Sequence, residues 1–231
     1  GPSNKYPHVR LVPAYVADLW DYIRGSIDAY KAGGFTLSTS PIMVFATKTG
    51  ADESSGHQIP RFGDPYIVMN TDKTGAPVSG NAGMDERRLT MRYAIAHELF
   101  HNVQYGSCRR ATQMAEQRWW MEIGAEYAAG RMAIADYAYM GKEGEIDVPS
   151  KAKYLNTSLI HAPQTSLQDP LPRKFHSYHS VHFLDFLLNG ADWRNPPAAT
   201  PAELESFWKL HFLVAAPDVV ARPKTEADLR A

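Results

Sequence analysis

Cysteine is almost absent. Cys108 is the only one in 231 residues, which excludes an intrachain disulfide framework. Long apolar runs are missing too. No stretch approaches the ~18 residues that cross a bilayer, and the longest apolar patches, such as Ile42 to Ala46, have the length of a strand. Neither sign of charge is in excess: 24 Lys and Arg stand against 25 Asp and Glu, a formal net charge of −1. That removes the electrostatic reason to expect nucleic acid or an anionic membrane as a partner. No repeat or low-complexity tract stands out. What is left, at 44% hydrophobic and 21% charged residues, is the composition of a soluble globular protein.

Gly1-Pro2-Ser3 reads as the remnant of a cleaved expression tag, which takes no part in the fold. A native signal peptide would have been lost with it, so the lack of a targeting segment is uninformative. Residues 4–231 are expected to form one domain, with an N-terminal α/β part over 4–106 and a helical part over 107–231.

Hydrophobic periodicity places the elements. Ala14 to Ala32 reads as an amphipathic helix presenting Val16, Leu19, Trp20, Ile23 and Ile27, and closed by Gly33-Gly34. Pro41 to Ala46 and Pro65 to Asn70 read as strands, separated by a loop over Thr49 to Asp64. Thr71 to Gly83 reads as a surface loop. Its Asp72 and Asn81 do not have the spacing of an EF-hand, which leaves calcium unsupported. Helices are expected over Asp85 to Gln104, Thr112 to Ala135, His176 to Leu188 and Thr200 to Leu213. The last opens with a capping box, Thr200-Pro201-Ala202-Glu203. Strands gathered toward the N-terminus and helices following make an α+β fold.

The helix expected over Asp85 to Gln104 carries His97-Glu98-Leu99-Phe100-His101. On a helix, residues four apart stand one above the other, so both imidazoles face the same way. Two neutral histidines so placed can bind Zn²⁺, and Glu98 lies where it can take a proton from a water that the metal activates. A catalytic zinc needs one more protein ligand and an open position. Glu122 and Glu126 are the downstream candidates, four apart on one face of the next helix. One could bind the metal while the other accepts the second N–H of a ligand imidazole. Cys108, seven positions past His101, is a weaker alternative ligand.

With these residues, the chain resembles the gluzincin group of zinc metallopeptidases, the thermolysin-like clan. In that group H-E-x-x-H is followed, about twenty residues later, by a glutamate ligand on the next helix; twenty residues separate His101 from Glu122 here. The wording H-E-L-F-H-x-x-Q with W-x-E-x-x-A-E-Y is similar to bacterial metalloproteases of the clan. The match covers about residues 93–130. One departure is Glu122-Ile123-Gly124, where many relatives have Glu-Gly. A metzincin, with a third histidine close by, is excluded because the next histidine after His101 is His161.

The resemblance implies a zincin-like domain with His97, His101 and Glu122 as ligands, Glu126 in support and Glu98 as general base. It implies a Tyr or His stabilising the oxyanion from a downstream helix, with Tyr178 the first choice and His179 the second. It also implies that the strand before the motif helix lines the cleft, which assigns peptide-backbone pairing to Tyr66, Ile67, Val68, Met69 and Asn70. The expected activity is zinc-dependent endopeptidase, acting on a peptide or protein as a secreted or periplasmic monomer. Two alternatives compete: a non-catalytic zinc-containing peptide- or glycan-binding domain, and a zinc hydrolase of a non-peptide substrate. A structural site closes all four positions with protein ligands and needs no base, so Glu98 favours catalysis. Asn156-Thr157-Ser158 is a glycosylation sequon, which matters only in a eukaryotic secretory host.

Overall fold

The computed structural model describes residues 13–37, 41–49, 56–59, 66–74, 84–107 and 118–133, with scattered positions over 184–188 and 200–209. In chain order the elements are helix α1 (Pro13–Ala32), strands β1 (Met43–Thr47), β2 (Gly56–Ile59) and β3 (Tyr66–Asn70), then helices α2 (Thr71–Thr74), α3 (Met84–Ser107) and α4 (Arg118–Ala128). A π-helical turn over Ala129–Ala133 continues α4. This is a mainly helical mixed fold with its strands in the N-terminal half, consistent with α+β.

The three strands form one sheet in the order β1-β3-β2. β3 runs parallel to β1, with Met43 opposite Tyr66, and antiparallel to β2, with Ile59 opposite Tyr66. β2 falls in the segment read as a loop. Its Gly-His-Gln-Ile sequence has little strand propensity, and pairing with β3 imposes the conformation. β3 is buried along its whole length, as suits a middle strand flanked on both edges. Asn70 ends it by capping the next turn. Its Oδ1 accepts from the Asp72 amide at 3.1 Å, and its carbonyl accepts from the Thr74 hydroxyl at 2.7 Å. Since the Thr74 proton is committed there, the buried Tyr15 hydroxyl is the donor in its 2.9 Å contact with Thr74 Oγ1.

α1 has its expected limits but a different inward face. Tyr15, Leu19, Ser26 and Tyr30 are buried, whereas Val16 and Trp20 remain 48% and 59% exposed. The helix carries two adjoining stripes, and the one with aromatic hydroxyls at its ends went inward because both hydroxyls found acceptors there. Tyr30 donates to the Ala96 carbonyl at 2.6 Å. The helix ends in a Schellman motif. The Phe35 amide bonds to the Tyr30 carbonyl at 3.0 Å, the Gly34 amide to Lys31 at 3.0 Å, and Gly34 has φ 88°.

That turn delivers Phe35 to the core beside Phe100 of α3, with ring centroids 5.1 Å apart; Tyr30 meets the same ring at 5.3 Å. Phe207 stacks on Phe100 at 5.8 Å and packs against Tyr127 at 4.4 Å. Three aromatic rings thus meet Phe100, and such aromatic pairs contribute roughly 0.5–1.5 kcal/mol each beyond area burial.

The capping box is half realised. The Glu203 amide bonds to Thr200 Oγ1 at 3.1 Å. The Glu203 carboxylate, instead of returning to the Thr200 backbone, is buried against Arg131, with Nε–Oε1 2.8 Å and Nη2–Oε2 2.5 Å, and accepts from the Tyr127 hydroxyl. A buried guanidinium attracts a carboxylate more strongly than one backbone amide does. Two stability outcomes follow. Gly34→Ala forces a side chain onto a left-handed residue and should cost about 1 kcal/mol in urea denaturation with an unchanged slope. Glu203→Ala leaves Arg131 buried without its carboxylate and should cost about 3–5 kcal/mol by the same measurement.

Candidate metal centre

α3 is buried at every described position from Met91 to Gln104 except Arg92. A helix enclosed on all sides can hold polar groups on one face only if they satisfy one another. Leu99 and Phe100 face the core, and His97, Glu98 and His101 are buried beside it. Glu122 projects from α4, which packs across α3, and is buried as well.

Three atoms meet between the two helices. His97 Nε2 is 3.1 Å from His101 Nε2 and 3.3 Å from Glu122 Oε2, and His101 Nε2 is 3.5 Å from the same oxygen. Ligands bound at about 2.0–2.1 Å around a tetrahedral ion stand about 3.3–3.4 Å from one another. The triangle therefore already has nearly the dimensions of one face of a zinc coordination tetrahedron. Among the described residues, this is the one group of three or more His, Cys, Asp or Glu side chains gathered closely enough to hold a metal ion.

The surrounding contacts turn lone pairs inward. His101 Nδ1 is 2.6 Å from Gln104 Oε1, while Gln104 Nε2 donates to the Met121 carbonyl at 2.9 Å. The carbonyl can only accept, which settles the amide's orientation and makes Gln104 Oε1 the acceptor for Nδ1–H of His101. The Glu126 carboxylate lies 3.1 Å from His97 Nδ1, within ion-pair reach though outside hydrogen-bond alignment, and favours the same tautomer. Both Nε2 lone pairs then face the Glu122 carboxylate. Three acceptors aimed at one point repel each other unless a cation joins them.

In the metal-free protein that cation is a proton. Burial pulls the His101 imidazole down, but Glu122, Glu98 and the Gln104 contact outweigh it and raise its pKa to about 9. Burial likewise pushes Glu122 up, yet the two histidines hold it well below the usual carboxylate range. The donor set, two imidazole nitrogens and one carboxylate, suits zinc far better than calcium, which takes oxygen ligands.

His97, His101 and Glu122 come together, with Glu126 beside His97. Glu98 is buried next to them, close enough for its charge to act on His101. Tyr178, His179, Cys108, Asn81 and the sequon at Asn156 lie outside the described residues. The assignment of Tyr66 to Asn70 as a peptide-pairing edge is corrected. β3 is the middle strand, its backbone is bonded on both sides, and no edge remains to offer. Gln104 was not assigned a role from the sequence, although it is part of the H-E-L-F-H-x-x-Q wording. Its spacing of three from His101 on one helix face was the available signal.

No family model matches this chain, and neither does a curated protein or a solved structure. The reading of the centre rests on its own geometry.

Metal must displace the His101 proton. Zinc binding at pH 7 should therefore release close to one proton, measured by titration calorimetry in buffers of different ionisation enthalpy; zero release would contradict the proton-bridged pair. Because the folded pKa of about 9 exceeds the ordinary 6.5, the stability His101 lends the metal-free protein is complete below pH 6.5 and vanishes as pH rises through 9. Chelated protein should accordingly melt at lower temperature at pH 9.5 than at pH 6.5. Gln104→Leu should weaken zinc binding about 10–100-fold, read with a competing chelator.

Proposed function

We propose that this chain is a zinc-dependent endopeptidase of the gluzincin type, with His97, His101 and Glu122 as ligands. The observation that carries this reading is the 3.1–3.5 Å triangle of inward-facing donors with a carboxylate, Glu98, that is not one of them. A purely structural site closes its positions with protein ligands and would have no use for a further buried acid beside them. Bound there, zinc supplies Lewis acidity, polarising a carbonyl and lowering the pKa of water.

The protein's own groups do the rest. Glu98 takes a proton from the attacking water and later delivers it to the departing amine. Gln104 and Glu126 hold the two imidazoles in the tautomer that keeps Nε2 bare. The peptide backbone must be held extended by a strand with a free side. With β3 enclosed, that part passes to an outer strand; among the described residues β1 and β2 each pair only with β3, and β2, the one packed against α3, is assigned it. Tyr178 and His179 remain the proposed donors to the oxyanion.

Glu98→Gln decides the matter. The variant should bind zinc with an affinity close to that of the unaltered protein and lose about 10²–10⁴-fold in cleavage of a diverse peptide library. Cleavage at the parent rate would eliminate Glu98 as base. Zinc bound by the parent with no peptide cut would favour the binding-domain alternative, and turnover confined to non-peptide esters or amides would favour the other hydrolase reading.

A further inference from the structure

The exposed stripe of α1, together with Leu19 at its border, is one wall of a groove of about 850 Å³, lined on its other side by Phe35 to Leu37 and by Ile42 and Val44. Its floor includes Leu99, the neighbour of Glu98 in the motif, so the cavity lies behind the helix that carries the histidines. The volume falls in the range of small-molecule sites. Val16 and Trp20, which would be unusual to leave in water on a helix that could rotate them inward, line one end.

Polarity changes along the groove. From Val16 to Lys31 is about 22 Å along the α1 axis. The first part of this wall, Val16, Leu19, Trp20 and Ile23, is wholly apolar. Arg24 and Lys31 enter only in the second part, and among the described residues lining the cavity they are the only charged ones. Arg24 is held at 2.9 Å by Asp21, whereas Lys31 sits in the last turn of α1, at the end of the groove away from Val16.

We infer that this groove binds a single-tailed amphiphile with an anionic head, such as a long-chain carboxylate, with the tail along Val16 and Trp20 and the head at Lys31. A neutral apolar ligand would have no need of the cations. An amphiphile of the opposite charge would be repelled by them. This inference is independent of the metal centre and stands whether or not the chain is a peptidase.

The test uses the full chain and dodecanoate below its micelle concentration, followed by calorimetry and by tryptophan fluorescence, since Trp20 lines the groove. Saturable binding at one site per chain is expected. Dodecyltrimethylammonium, with the same tail and opposite head, should bind at least about tenfold more weakly, and Lys31→Glu should weaken dodecanoate by about tenfold. Lys31 is exposed, so that variant should fold; an unchanged melting temperature confirms it. Val44→Trp, which fills the groove, should abolish binding in a protein whose melting temperature shows that it is still folded. Three results would overturn the inference. One is no saturable binding. Another is equal binding of both amphiphiles with no effect of Lys31→Glu, which marks adhesion of detergent. The third is a dimer by light scattering that Trp20→Glu dissociates, which makes the groove a contact between two copies.

Discussion

The centre depends on α3 being enclosed on every side, with Phe100 as the point to which the rest is fastened. Phe100 takes Tyr30 and Phe35 from one end of α1 and Phe207 from the C-terminal region. Burying an aromatic side chain contributes about 1.5–3 kcal/mol, and several meet here. That surplus offsets the desolvation of His97, Glu98, His101, Gln104 and Glu122, each of which would prefer water to the interior. Leu99 and Phe100, the unspecified positions of H-E-x-x-H, are thus the residues that keep the specified ones in place.

Polar groups in such an interior persist only in closed networks. Gln104 is the clearest instance, because one amide joins His101 on α3 to the Met121 backbone on α4, one residue before Glu122. It fixes a ring tautomer and the register between two helices at once. Arg131, Tyr127 and Glu203 form a second closed set that holds the C-terminal segment against α4. The π turn that carries Arg131 is also gripped from α3, where Arg92 donates to the Ala133 carbonyl at 3.3 Å. α4, the helix that brings Glu122, is therefore held near its start and just beyond its end.

The same enclosure gives α3 two working sides. Its polar face looks to α4 and the three donors. Its opposite side, through Leu99, closes the groove beneath α1. A groove that shares a helix with the donor triangle is mechanically close to it, since any shift of α3 would be felt at both.

Much of the centre was legible in the sequence. Spacing of four on a helix places His97 over His101, and the same rule places Glu122 near Glu126, because helix geometry is local and repeats every 3.6 residues. The extent of α1 and the existence of a strand at β3 were legible from hydrophobic pattern as well. Long-range pairing decided the rest. Local sequence does not state which strand is central, so β3 could be mistaken for an edge and β2 for a loop. It does not state which of two adjoining apolar stripes on α1 turns inward, since the choice rested on acceptors at Ala96 and Thr74 that are distant in the chain. Nor does it tell Glu203 to leave its own helix cap for Arg131. The sequence by itself determined which chemistry the donors could perform; only the tertiary structure brought three lone pairs within 3.5 Å of one another, because that distance is set by the packing of α4 across α3.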